Sequence, residues 1–140
     1  MSVRFFLDTN ILVYAVDRSD SRKHTIAGEW VKRAHEAGDG VISFQVVQEW
    51  INTMVRKPVV GVGSVGVEDL YRTLLEPLWQ VDSSRAIIDN ALGLFREHSF
   101  SWWDSLILSA AMEANCSVLL SEDLQHGRQI GGLRIENPFL

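Results

Sequence analysis

A three-layer α/β/α fold around a central parallel sheet of four or five strands is predicted by two observations. Short apolar segments alternate with helical periodicities along the chain, and they do so at the spacing of strand-helix-strand units, which bury a parallel sheet under helices on both faces. The length of 140 residues and a hydrophobic content of 46% suit one compact unit, so residues 1–140 are expected to form a single domain.

The elements follow in order. Residues 3–7 read as a strand, 11–16 as a short helix and 21–37 as a longer one. Residues 41–43 read as a second strand, 44–56 as a helix stopped by Pro58, and 67–75 as a helix stopped by Pro77. Residues 78–81 supply a third strand, 84–97 and 101–115 two further helices, 118–120 a fourth strand and 133–135 a fifth. No internal repeat or low-complexity tract interrupts them.

Composition excludes several classes. The longest unbroken apolar run covers residues 11–16, far short of the ~20 residues a membrane span needs. The first residues, Met1-Ser2-Val3-Arg4, lead straight into the first strand without the pattern of a signal peptide. Cys116 is the single cysteine, so no internal disulfide forms, and a reducing, cytoplasmic setting is expected. The net charge of −5 argues against affinity from a broad basic surface, although basic groups can still rim an acidic site. Arg18, Arg22, Lys23, Arg56 and Lys57 are candidates for such a rim.

In open parallel sheets, ligands bind beyond the carboxyl ends of the strands. Asp8 falls there, directly after the first strand, and Glu122-Asp123 falls there after the fourth. Asp8 also has the position of a helix N-cap, and the two roles can coexist. On a helical wheel Asp104 shares a side with Ile107, Leu108 and Ala111, while Ser105, Ser109 and Glu113 lie toward the other. A carboxylate on that inward face needs a partner, either a cation or the helix start reached through the capping-box pattern Ser101-Trp102-Trp103-Asp104. Glu49 lies opposite the apolar stripe Val46, Val47, Trp50, Ile51, Met54 and Val55, together with Gln45, Asn52 and Arg56. That polar face is either solvated or lines a cleft. Asp123 also suits a simple turn.

Several carboxylates brought close repel one another unless a cation neutralises them, and oxygen-only ligands favour Mg²⁺ or Mn²⁺. The histidines show no paired-ligand spacing, one cysteine cannot build a thiolate zinc centre, and no nucleophile elbow occurs.

The order Leu7-Asp8-Thr9-Asn10, Glu49 within a helix, Trp103-Asp104-Ser105-Leu106-Ile107 and Ser121-Glu122-Asp123-Leu124-Gln125-His126-Gly127 resembles PIN-domain nucleases, particularly toxins of the VapC type, over essentially the whole chain. The resemblance implies a metal-dependent endoribonuclease with Asp8, Glu49, Asp104 and Asp123 as ligands of one or two Mg²⁺ or Mn²⁺ ions. It places Asn10 and Ser121 beside them as groups that orient water. Of the adjacent acids Glu122 and Asp123, strand alternation lets one point inward, and Asp123 is favoured. Such an ion activates water for in-line attack and neutralises charge on the leaving oxygen. Family members resembling this chain leave 5′-phosphate and 3′-hydroxyl ends, often on tRNA or ribosomal RNA. They pair with a small antitoxin and form homodimers. A non-catalytic RNA- or protein-binding module, or an RNA-maturation nuclease, is the alternative.

Two other readings compete. Gly61-Val62-Gly63-Ser64-Val65-Gly66 is a literal G-x-G-x-x-G behind Val59-Val60, but too little chain follows for a dinucleotide domain, and a glycine loop between helices explains it. Aspartyl-phosphate chemistry at Asp8 requires a second Asp two residues on, where Asn10 stands. Trp30, Trp50, Trp79, Trp102 and Trp103 fall in apolar patterns and read as core or interface, with Trp102 a candidate dimer contact.

Overall fold

A computed structural model describes residues 3–57, 59 and 62–140. Strand β1 (Phe5–Leu7) is followed by α1 (Thr9–Tyr14) and α2 (Ser21–Ala37), then by β2 (Gly40–Ser43), α3 (Phe44–Arg56) and α4 (Ser64–Leu70). Next come β3 (Trp79–Val81), α5 (Arg85–Glu97), α6 (Trp102–Glu113), β4 (Val118–Leu120), β5 (Gln129–Ile130) and β6 (Leu133–Glu136). The sheet order is β3-β2-β1-β4-β6-β5, parallel throughout except for the antiparallel pair β5–β6. The expected mixed fold with a mostly parallel sheet is therefore present, with six strands among the described residues in place of four or five. The additional β5 has two residues, too few to leave a periodic signal.

Consecutive side chains of a strand point to opposite faces, and Phe5, Phe6 and Leu7 are at most 1% exposed, so both faces of the sheet centre are covered. Val41, Ile42, Leu119 and Leu120 extend this core on either side of β1. Side-chain caps start most of the helices: Asp20 for α2, Ser43 for α3, Ser84 for α5 and Ser101 for α6. Gly38, at φ 70°, ends α2 in the left-handed conformation that glycine adopts without strain. Trp50, fully buried, donates its indole N–H to the Leu12 carbonyl at 3.2 Å and so ties α3 to α1.

Several expectations are corrected. The helix expected over residues 67–75 begins earlier, as α4, and then widens into a π-helical turn at Tyr71–Leu75 before a 3-10 turn at Glu76–Leu78. Pro77 has no N–H to direct to the Thr73 carbonyl, and the neighbouring Leu74 carbonyl is met by the His35 imidazole at 2.9 Å. Val55 leaves the apolar stripe of α3 and is 59% exposed, because it lies one position off the row Val46, Val47, Trp50 and Met54. Ser105 and Ser109 do not face solvent. Both are buried, and the Ser109 hydroxyl donates to the Ile87 carbonyl at 2.8 Å, because α5 covers that side of α6. Of the glycine-rich stretch, Val60 and Gly61 lie outside the described residues, as does Pro58, the expected stop of α3. Val59 is not in a strand, Gly63 caps α4 and Gly66 lies within it, which removes the strand-to-helix turn a dinucleotide site requires. No described helix is long and apolar enough to cross a membrane.

Candidate active site

Parallel pairing of β1 with β4 sets Leu7 beside Leu120, so the residues that follow the two strands emerge side by side. Asp8 and Ser121 meet there: the Ser121 hydroxyl donates to Asp8 Oδ2 at 2.7 Å, while the Thr9 N–H donates to Asp8 Oδ1, also at 2.7 Å. Asp8 thus caps α1 and faces the sheet end at once, as its position in the sequence allowed. It is only 7% exposed. Burial pushes its carboxyl up to about 6; the hydrogen bonds from Ser121 and Thr9 offset part of this, and the charges of Glu49 and Asp123 add to it.

Glu49 comes to the same place from α3. Its Oε2 accepts from the Thr9 hydroxyl at 2.7 Å and its Oε1 from the Gln45 amide at 2.9 Å. The polar face of α3 therefore lines a cleft. Asp104 stands in the first turn of α6, half-buried, with its N–H donating to the Ser101 hydroxyl at 3.1 Å. Burial raises its carboxyl, Ser101 lowers it, and Asp123 and Glu49 raise it further. Asp123 accepts at Oδ2 from the Asn10 amide at 3.0 Å, and its N–H donates to the Ser121 hydroxyl at 3.3 Å. Glu122 turns elsewhere, to an ion pair with Lys23 and a contact with the Tyr14 hydroxyl.

The four carboxylates singled out from the sequence are thus neighbours in charge: Glu49 and Asp123 act on both Asp8 and Asp104. A cleft of about 440 Å³ opens between α1 and α3, lined by Thr9, Asn10, Glu49, Asn52 and Asp123. Thr9 and Gln45, which fix Glu49, were not singled out by sequence reasoning; the threonine within Asp8-Thr9-Asn10 was the available signal. Among the described residues, no three histidine, cysteine, aspartate or glutamate side chains converge tightly enough to enclose an ion as they stand. The donors nonetheless suit a hard divalent cation, since the acids that act on one another offer carboxylate oxygens only. The Asn10 Oδ1, buried and without a hydrogen-bond partner, is a further oxygen beside Asp123.

An acidic cluster at the carboxyl end of a mostly parallel sheet, with Asp8 buried at its base and Glu49, Asp104 and Asp123 more open, defines the class of α/β proteins whose site is assembled from strand-terminal and helix-borne acids. The PIN domain family model matches residues 5–129, and the chain belongs to that family. Among solved structures, the chain resembles a toxin–antitoxin complex from Klebsiella pneumoniae at 18% identity, with 95% of this chain and 96% of that one covered and a TM-score of 0.65. VapBC2 from Rickettsia felis, bound to a DNA fragment from its promoter, matches at 20% identity over 95% and 97% of the two chains, with a TM-score of 0.66. VapC20 from Mycobacterium tuberculosis, a toxin that cleaves the sarcin-ricin loop, matches at 17% identity over 85% and 89%, with a TM-score of 0.61. No curated relative matches the chain in sequence.

Proposed function

We propose that this PIN domain is an Mg²⁺- or Mn²⁺-dependent endoribonuclease, the toxin of a toxin–antitoxin pair, with tRNA or ribosomal RNA as its substrate. The observation that carries the reading is the gathering of Asp8, Glu49 and Asp123 at the end of the sheet through Ser121, Thr9 and Asn10, with the Asp104 carboxyl near enough to feel the charges of Glu49 and Asp123. Those four carboxylates would hold the ion, which when bound supplies Lewis-acid activation and neutralises charge at the phosphodiester. The chain's own groups set the frame for it. Ser121 and the Thr9 N–H hold the Asp8 carboxylate in one orientation, Thr9 and Gln45 hold both oxygens of Glu49, and Asn10 holds Asp123. The donors to Asp8 favour its ionised form, and those to Glu49 and Asp123 fix how their oxygens face the cleft.

The likeness to toxin–antitoxin complexes supports a small antitoxin as partner, and the likeness to a toxin that cleaves the sarcin-ricin loop supports structured RNA as substrate. A homodimer and a cytoplasmic location belong to the same reading. Purified chain, free of any partner, is expected to cut a labelled structured RNA with Mg²⁺ or Mn²⁺, leaving 5′-phosphates. Chelator or Asp104→Asn should stop the cutting. Cleavage that survives chelator excludes the metal mechanism, and a chain that neither cuts RNA nor binds Mn²⁺ is a binding module.

A further inference from the structure

Adjacent acids at the end of β4 part company. Asp123 takes the Asn10 amide, and Glu122 takes Tyr14, one helical turn further along α1, together with Lys23 of α2. Lys23 is held by more than this ion pair. Its Nζ lies 3.4 Å from the Tyr14 hydroxyl, 5.0 Å from the centre of the Tyr14 ring and 5.7 Å from that of Phe139. Tyr14 and Phe139 pack edge to face at 5.2 Å, and Arg22 donates to the Phe139 carbonyl. Helices α1 and α2 and the C-terminal residues therefore fix one ammonium against one carboxylate beside the acidic cluster.

We propose that Lys23, Tyr14 and Glu122 are positioning residues: they turn Glu122 away, commit Asp123 to the cluster, and keep the Lys23 ammonium off the carboxylates. This inference rests on the metal-binding reading given above. If the ion pair insulates the cluster, its halves have opposite effects when removed singly. Without Glu122, the Lys23 ammonium loses its carboxylate partner and is free to turn to Asp123, where it competes with a divalent cation. Without Lys23, Glu122 adds an uncompensated negative charge one residue from Asp123 and competes with it as a ligand.

The test is a calorimetric Mn²⁺ titration of the full chain, read beside cleavage kinetics. Glu122→Gln is expected to weaken Mn²⁺ binding on the order of tenfold, the scale of groups that orient metal ligands. Lys23→Met is expected to tighten Mn²⁺ binding while lowering kcat with little change in KM, and Lys23→Arg to restore both. A merely structural pair would weaken binding in both variants. The charge-swapped chain Lys23→Glu/Glu122→Lys keeps the pair and should bind Mn²⁺ within a few-fold of the native protein. Single variants that shift affinity in the same direction, or a swap further from the native affinity than the singles, overturn the proposal. Native chain that binds no Mn²⁺ removes the metal reading and this inference together, whereas native binding with unchanged variants removes this inference alone.

Discussion

Asp8 is where local structure and chemistry pull in opposite directions. Burial and the neighbouring acids raise its carboxyl from the usual 3.8 to about 6, so between those values the folded chain binds more protons than the unfolded one. Stability then falls as pH rises through that window, and the loss is complete above about 6, amounting to about 3 kcal/mol for a buried group raised this far. Metal-free protein should therefore melt at lower temperature at pH 7 than at pH 4.5, and Asp8→Asn should flatten that dependence. Added Mn²⁺ should stabilise the native chain at pH 7 more than at pH 4.5. Thermal melts at the two pH values check this, and a metal effect independent of pH would remove Asp8 from the ion's ligands. Asp104→Asn and Asp123→Asn should each lower cleavage by at least about a hundredfold with the melting curve intact, because an amide cannot supply the charge a divalent ion requires. Glu49→Gln belongs with them, since Thr9 and Gln45 present both of its oxygens to the cleft.

Among the elements, the approach of α2 to β2 leaves the least room for change. A Cβ on Gly40 would lie 2.3 Å from the Ala34 side chain and 3.0 Å from its backbone, so Gly40→Ala must push α2 away from β2. Denaturant unfolding should show a loss of about 1–3 kcal/mol, partly recovered by adding Ala34→Gly; additive losses in the double variant would mean that the two positions do not press on each other. The spans of α2 and β4 and the capping position of Ser101 were legible in the sequence because periodicity and capping are local. Asp8, Glu49, Asp104 and Asp123 were legible as residue types at strand and helix ends. The bonds among them were not: that the Ser121 hydroxyl reaches Asp8 depends on β4 pairing with β1 in one register, which only the tertiary fold decides. For the same reason the α3 wheel left Glu49 open between solvent and cleft, and the α6 wheel put Ser105 and Ser109 on an outer side that α5 covers.

At the scale of the whole molecule, a net charge of −5 leaves the association of chains to apolar surface rather than to charge pairing. Helix α5 presents Ile88, Leu92 and Phe95, which are 42–49% exposed and spaced along one face, and on α6 Trp103 is 64% exposed. Trp102, the sequence candidate for a dimer contact, instead packs half-buried, edge-on to Phe95 at 6.3 Å, so it supports that face rather than forming its outermost part. A two-fold dimer uses the same patch on both chains, and a row of large apolar side chains along one helix is self-complementary in that sense. The native chain is therefore expected to sediment as a dimer at micromolar concentration. Leu92→Glu, which sets like charges against each other across the axis, should convert it to monomer without lowering the melting temperature of the isolated chain. Sedimentation equilibrium checks both expectations. A native monomer, or a Leu92→Glu dimer as tight as the native one, would move the contact away from α5.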